Sequence, residues 1–163
     1  MIQKVAIYGA GAIGGWLGAR LAGVGCSVGV VARGATLAAL HQHGLQLVAA
    51  DGATTHAVRA SSDPAALGVQ DLVIIAVKAP ALLEVARHIA PLIGPDTVVL
   101  TAMNGVPWWF FEGFGGALAG TALQAVDPTG EIARAIPARH VIGCVVHARR
   151  VHRAAGVHHA AAR

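Results

Sequence analysis

Residues 8–34 read YGAGAIGGWLGARLAGVGCSVGVVARG, with five glycines, Gly9, Gly11, Gly14, Gly15 and Gly18, crowded into the first turn and the segment after it. The β-branched run QKVAIY at 3–8 leads into that turn, and Ile13, Leu17, Leu21 and Val24 follow at spacings of four, four and three. The run predicts a buried first strand, and the series predicts one face of a helix. Gly25 ends the helix, and SVGVVA at 27–32 predicts a second strand. GAGAIG, Gly9 to Gly14, satisfies G-x-G-x-x-G. Between a strand and a helix that pattern points to a dinucleotide: Gly9 for a tight turn, Gly11 for close approach of a pyrophosphate, Gly14 for close packing of helix on strand. Backbone amides at the helix start, from Ala10 through Gly11, Ala12 and Ile13, would then face the phosphates, where the helix dipole favours negative charge.

The end of the second strand selects the nucleotide. An NAD site usually places Asp or Glu there, to accept from the ribose 2′-hydroxyl. This chain has Arg33, 19 positions after Gly14. A guanidinium attracts the additional 2′-phosphate and forks onto its oxygens, so the expected cofactor is NADP.

Further along, a short helix is predicted over 35–42, and GLQLVAA with THAVRA suggests a small β excursion around a turn at Asp51-Gly52. DLVIIAV at 71–77 is a fully apolar run of the kind a sheet covered on both faces requires. A helix is predicted from Pro80 to Ile93, with Leu82, Leu83, Ala86, Ile89 and Ala90 inward and Gly94-Pro95 as its stop. TVVLTA at 97–102 predicts the next strand, NGVPWWFF a helix or loop, and HVIGCVV at 140–146 a last strand, after a Gly-rich stretch at 113–120 and a DPTG turn. Alternating strands and helices imply right-handed crossovers. The fold class expected is therefore α/β, a doubly wound, mostly parallel sheet of the Rossmann type. The tail, 147–163, is rich in Ala, Arg and His without periodicity, and is expected to be an irregular or truncated end to a single domain spanning 1–163.

Composition narrows the function. The 163 residues are 55% hydrophobic and 12% charged, enough for one globular core. Net charge is +4, but basic residues are thinly spread until Arg149, Arg150, Arg153 and Arg163. No basic stripe with interleaved aromatics argues for nucleic acid, and a phosphorylated small molecule fits better. Cys26 and Cys144 have no metal-like spacing and read as free thiols of a cytoplasmic protein. The apolar start reads as strand, turn and helix, not as a leader, and no stretch has the length of a membrane span. Nine histidines, notably His147, His152, His158 and His159, are joined by no carboxylate or cysteine, so no metal is expected. No Ser, His, Asp order suggests a hydrolase.

Two polar residues fall at the carboxyl ends of predicted strands, where open α/β sheets bind ligands: Lys78, the only lysine besides Lys4, and Asn104, which precedes Gly105. The cluster Trp108, Trp109, Phe110 and Phe111 fits either a wall of the site or packing against a second domain.

Taken together, GAGAIGG at the start, IIAVKA ending at Lys78, TAMNGVPWW with Asn104-Gly105, and VIGCVVHA near the end resemble the ketopantoate reductases, or 2-dehydropantoate 2-reductases, in order and spacing over essentially the whole chain. The resemblance implies NADPH-dependent reduction of 2-dehydropantoate to pantoate, on the way to pantothenate and coenzyme A. It implies that Gly9 to Gly14 bind the pyrophosphate, that Arg33 binds the 2′-phosphate, and that Lys78 and Asn104 sit over the cofactor, with Asn104 also reaching the substrate. The family continues into a mostly helical second domain that carries its proton-donating lysine. That domain is expected beyond Arg163, which leaves the 163 residues as the cofactor-binding portion, inactive alone. Two rival readings stand beside this one: a reductase of another branched 2-keto acid, and a non-catalytic dinucleotide-binding module.

Overall fold

A computed structural model describes residues 1–49, 52–112, 115–147, 150–154 and 157–160. The first strand, β1 (Lys4–Tyr8), alternates its side chains between two buried faces, Val5 and Ile7 on one and Ala6 and Tyr8 on the other. A strand buried on both faces needs helices or a second layer above and below it. α1 (Ala12–Gly23) covers one face and leads to β2 (Ser27–Val31). Then come α2 (Gly34–His43), the hairpin strands β3 (Leu45–Ala49) and β4 (Gly52–His56), and β5 (Arg59–Ser61). β6 (Leu72–Ile75), α3 (Leu82–His88), β7 (Val98–Ala102), α4 (Glu131–Ala135) and β8 (Val141–Cys144) complete the main layer.

Among the described residues the main sheet runs β5-β2-β1-β6-β7-β8, with every neighbouring pair parallel. Strands are added outward from β1 first on one side and then on the other, the doubly wound order expected of the sequence. A second sheet has the order β4-β3-β10-β9, formed with β9 (Arg150–Ala154) and β10 (Val157–Ala160). The tail was expected to be irregular, and these strands correct that expectation. β10 lies parallel to β3, and main-chain pairing on an open strand edge needs no side-chain period. β3 and β4 pair antiparallel, and the turn expected at Asp51-Gly52 involves Asp51, which lies outside the described residues.

α1 is packed between the two sheets. A Cβ on Gly18 would stand 3.1 Å from Ile7 on one side and 3.1 Å from Leu45 on the other. The line of α1 that is fully buried is therefore Gly14, Gly15, Gly18 and Ala19, where only the smallest residues fit. Ile13, Leu17 and Leu21 flank it half-buried, and Val24, which the apolar spacing placed inward, is exposed. Gly25 ends the helix as expected. It adopts φ +93° while the amides of Gly25 and Cys26 return to the carbonyls of Ala22 and Leu21.

The helix predicted over 80–93 is broken into three. A 3₁₀ turn covers Ala79–Ala81, α3 ends at His88, and a second 3₁₀ turn covers Ala90–Leu92. Pro91 is the cause: it has no N–H for the carbonyl of Arg87, and its ring would strike that carbonyl in a continuous helix. Leu82, Val85, Ala86 and Ile89 are buried, whereas Ala90 is exposed. α4 has no counterpart in the sequence reading. Its start is capped from a distance by the buried carboxylate of Asp127, which accepts from the amides of Ile132 (3.2 Å) and Ala133 (2.9 Å).

Candidate functional site

The site is built at the carboxyl end of the main sheet, between β1 and β6, where the winding reverses. Gly9 leaves β1 with φ +97°, its amide donating to the Val31 carbonyl at 3.2 Å. A Cβ there would stand 2.7 Å from Val77, so both conformation and space require glycine. At Gly14 a Cβ would run into the Gly9 carbonyl oxygen and come within 3.0 Å of Ile7 and 2.9 Å of Ala76. Glycine at that position brings α1 down onto the turn. Gly11 differs from both. It starts α1 with an ordinary φ of −75°, and the place a Cβ would take has nothing within 4 Å. The loop is open to a ligand at that one glycine.

Two basins meet at this turn, with Gly11 and Val77 in the walls of both. The first, about 310 Å³, lies between the ends of β1 and β2 and the start of α3, and is lined by Tyr8, Arg33, Thr36 and Glu84. The second, about 480 Å³, is lined by Gly11, Ala12, Ile13, Lys78, Asn104 and Val146. A third hollow of about 420 Å³ continues from Asn104 past Leu83 to Trp108 and Ile132. Together they form a groove across the switch point.

Arg33 stands between β2 and α2, and its Nη2 donates to Glu84 Oε1 of α3 at 2.9 Å across the first basin. That hydrogen bond holds the Glu84 carboxyl below the usual carboxylate range, against a smaller opposing effect of burial. Tyr8 lies in the same wall. Its hydroxyl is buried with no hydrogen-bond partner among the described residues, and burial raises its pKa, with Arg33 and Glu84 pulling in opposite directions.

Lys78 is exposed on the rim of the second basin, at the start of the 3₁₀ turn after β6, and no ion pair holds it among the described residues. Asn104 lies in the same wall. Its Oδ1 accepts from the Val146 amide at 2.8 Å and its Nδ2 donates to the Val146 carbonyl at 3.1 Å, which ties the end of β7 to the segment after β8. One N–H and one lone pair remain for a ligand. Gly9 to Gly14, Lys78 and Asn104 are thus brought to one groove, with Arg33 at its far end.

The aromatic cluster divides. Trp108 is core, with its indole N–H donating to the Ile136 carbonyl at 3.3 Å. Trp109 packs over Gly143, and Phe110 and Phe111 meet edge to face at 5.1 Å. Cys26 and Cys144 are free thiols. Among the described residues no three His, Cys, Asp or Glu side chains converge, and the side chains of His152, His158 and His159 lie outside those residues, as do Arg149 and Arg163. No helix among the described residues is long and apolar enough to cross a membrane.

The family model described as "Ketopantoate reductase PanE/ApbA" matches residues 5–108, from β1 through the turn after β7. The chain belongs to the ketopantoate reductase family. A 2-dehydropantoate 2-reductase of Mesorhizobium japonicum is 48% identical over 146 residues, 89% of this chain and 45% of that protein. Among solved structures, a Ralstonia solanacearum chain assigned to the ketopantoate reductases superposes with TM-score 0.94 at 56% identity, covering 99% of this chain and 50% of that one. A PanE/ApbA family ketopantoate reductase from Ralstonia eutropha superposes with TM-score 0.74 at 26% identity, over 99% of this chain and 47% of that one. The chain therefore spans about half the length of the ketopantoate reductases it matches.

Tyr8 and Glu84 are the site residues the sequence reading passed over. Both carried a signal. Tyr8 is a polar tip at the end of an otherwise apolar run, and Glu84 is the only acid between Asp71 and Asp96.

Proposed function

We propose that this chain is the nucleotide-binding portion of an NADPH-dependent reductase that converts 2-dehydropantoate to pantoate. The observation that carries the reading is the turn at the sheet's switch point, closed by Gly9 and Gly14 and open at Gly11, with a guanidinium at the end of β2. A diphosphate fits the clear space at Gly11 beside the first amides of α1, a helix of 12 residues. The 2′-phosphate of NADPH would take the guanidinium of Arg33, and the unpartnered Tyr8 hydroxyl leaves a polar group in the same wall for the adenosine half. Lys78 and Asn104 would border the nicotinamide half.

A bound nicotinamide nucleotide supplies the hydride. The chain's part is binding, orientation and charge. Lys78 places a cation on the rim of the second basin, and Asn104, clamped to Val146, offers its remaining N–H and lone pair to a keto acid. Reduction of a ketone leaves an alkoxide that needs a proton donor, and family resemblance puts that donor beyond Arg163. The 163 residues alone are expected to bind NADPH without turning over.

Titration of the purified chain with NADPH and with NADH, followed by nucleotide fluorescence, tests the assignment. NADPH is expected to bind more tightly, and Arg33→Ala is expected to remove most of that preference by weakening NADPH about tenfold or more. Equal affinity for both nucleotides in the parent chain would remove the 2′-phosphate role from Arg33.

A further inference from the structure

Glu84 faces Arg33 across the first basin. It is a carboxylate in the wall of the first basin, reaching from α3 toward the residue assigned to the 2′-phosphate. The contact uses a single N–H of the guanidinium, Nη2 to Oε1 at 2.9 Å, and the two side chains are 59% and 45% exposed. Pairs as exposed as this open readily when a better partner arrives. Dinucleotide sites that take NAD use a carboxylate to accept from the ribose 2′-hydroxyl, and usually carry it at the end of the second strand. Arg33 occupies that place, and the carboxylate comes from the opposite wall.

We propose that Glu84 is a specificity-determining residue of this site: it opposes a 2′-phosphate by competing for Arg33, and it accepts a hydrogen bond from a 2′-hydroxyl. The inference rests on the dinucleotide reading above. Arg33 keeps the Glu84 carboxyl ionised well below neutral pH, so a full negative charge faces an incoming phosphate dianion. The pocket presents a cation and an anion side by side. Each favours a different nucleotide, and the Glu84 side lowers the preference that Arg33 alone would give.

The test is the affinity of the 163-residue chain and of its Glu84→Gln variant for NADPH and NADH, at low and high salt, with circular dichroism to check that the variant is folded. Glutamine keeps the shape and removes the charge. It is expected to tighten NADPH about threefold to tenfold and to weaken NADH about twofold to fivefold, with the NADPH gain shrinking at high salt. Unchanged affinities, or weaker NADPH binding in a folded variant, would overturn the inference, the second outcome meaning that Glu84 positions Arg33. A parent chain that binds neither nucleotide would overturn the dinucleotide reading and this inference together, whereas a parent that prefers NADPH, with the ratio unmoved in Glu84→Gln, would overturn this inference alone.

Discussion

Gly11 and Gly14 sit three residues apart in one motif and answer to different forces. At Gly14 the limit is steric, because a methyl group would collide with the Gly9 carbonyl oxygen and press on Ile7 and Ala76. The Gly9 oxygen is fixed by the backbone of the turn and the Ala76 Cβ by the backbone after β6, so neither can swing aside. Gly14→Ala is expected to cost about 3 kcal/mol, the upper range for overpacking, and to lower the melting temperature by about 6–12 °C. At Gly11 nothing in the protein occupies the space, so Gly11→Ala should melt close to the parent while weakening NADPH, because its methyl group points where the phosphates would approach. Thermal denaturation and nucleotide titration of the two variants separate the roles. Equal melting temperatures for parent and Gly14→Ala would contradict the packing argument. The motif alone already separates Gly11, for a ligand, from Gly14, for helix packing, but the neighbours that crowd Gly9 and Gly14, Val77 and Ala76, come from the segment after β6, more than sixty residues away in the chain.

Between elements, a few polar contacts tie what the apolar core has brought together. Arg87 of α3 donates to Glu131 of α4 at 2.9 and 3.3 Å. Asp71, just before β6, accepts from the amides of Gln3 and Lys4 at 2.8 Å each and so secures the entry of β1 beside β6. The Lys4 amide, then the Gln3 amide, hold the Asp71 carboxyl below its ordinary value, and ion-pair hydrogen bonds do the same for Glu84 and Glu131. A folded-state pKa below the unfolded one contributes stability that is present above the unfolded value and lost as pH falls through the folded value. Stability is therefore expected to decline on acidification from about pH 5 downward, where unfolded carboxyls begin to bind protons. Asp71→Asn should lie below the parent at neutral pH and converge with it in acid. Urea unfolding of both chains across that range checks this, and parallel curves would remove Asp71 from the account. β1, β2, β6 and β7 were legible because each is an apolar run buried largely on both faces, whereas β5, Arg59–Ser61, is neither apolar nor fully buried and joins the main sheet beside β2 although its residues read as part of a small β excursion. The helices were less so. Pro91 interrupts a pattern that apolar spacing alone carries through to Ile93, and α4 depends on Asp127, whose capping contact skips four residues and leaves no local signature.

Over the whole molecule, the groove has the parts for binding and lacks enclosure. Gly11, Lys78 and Asn104 all lie on exposed positions of its rim, and Val106, Phe110 and Val145 are apolar side chains left in solvent nearby. Sequence pattern reached the doubly wound layer and its switch point. It reached the β3–β4 pair of the second sheet but not β9 and β10, because β10 is held by main-chain pairing to β3 and β9 by pairing to β10, and neither carries an alternation to read. Nor did it reach the Arg33–Glu84 contact, which joins elements 51 residues apart. Carbonyl reduction needs water kept from the hydride donor and a proton donor at the oxygen as charge develops there. Among the described groove residues Lys78 is the one ammonium, and it stands on the exposed rim, where water reaches it. The 163-residue chain is thus expected to bind NADPH and to show no oxidation of it above background when 2-dehydropantoate is added, as followed by loss of nucleotide absorbance. Rapid oxidation would mean that the groove supplies the proton itself, and a Lys78→Ala variant would then identify the donor. Binding without oxidation places the missing step in residues outside this chain, and adding the remainder of a full-length relative in trans should restore turnover if the two halves dock.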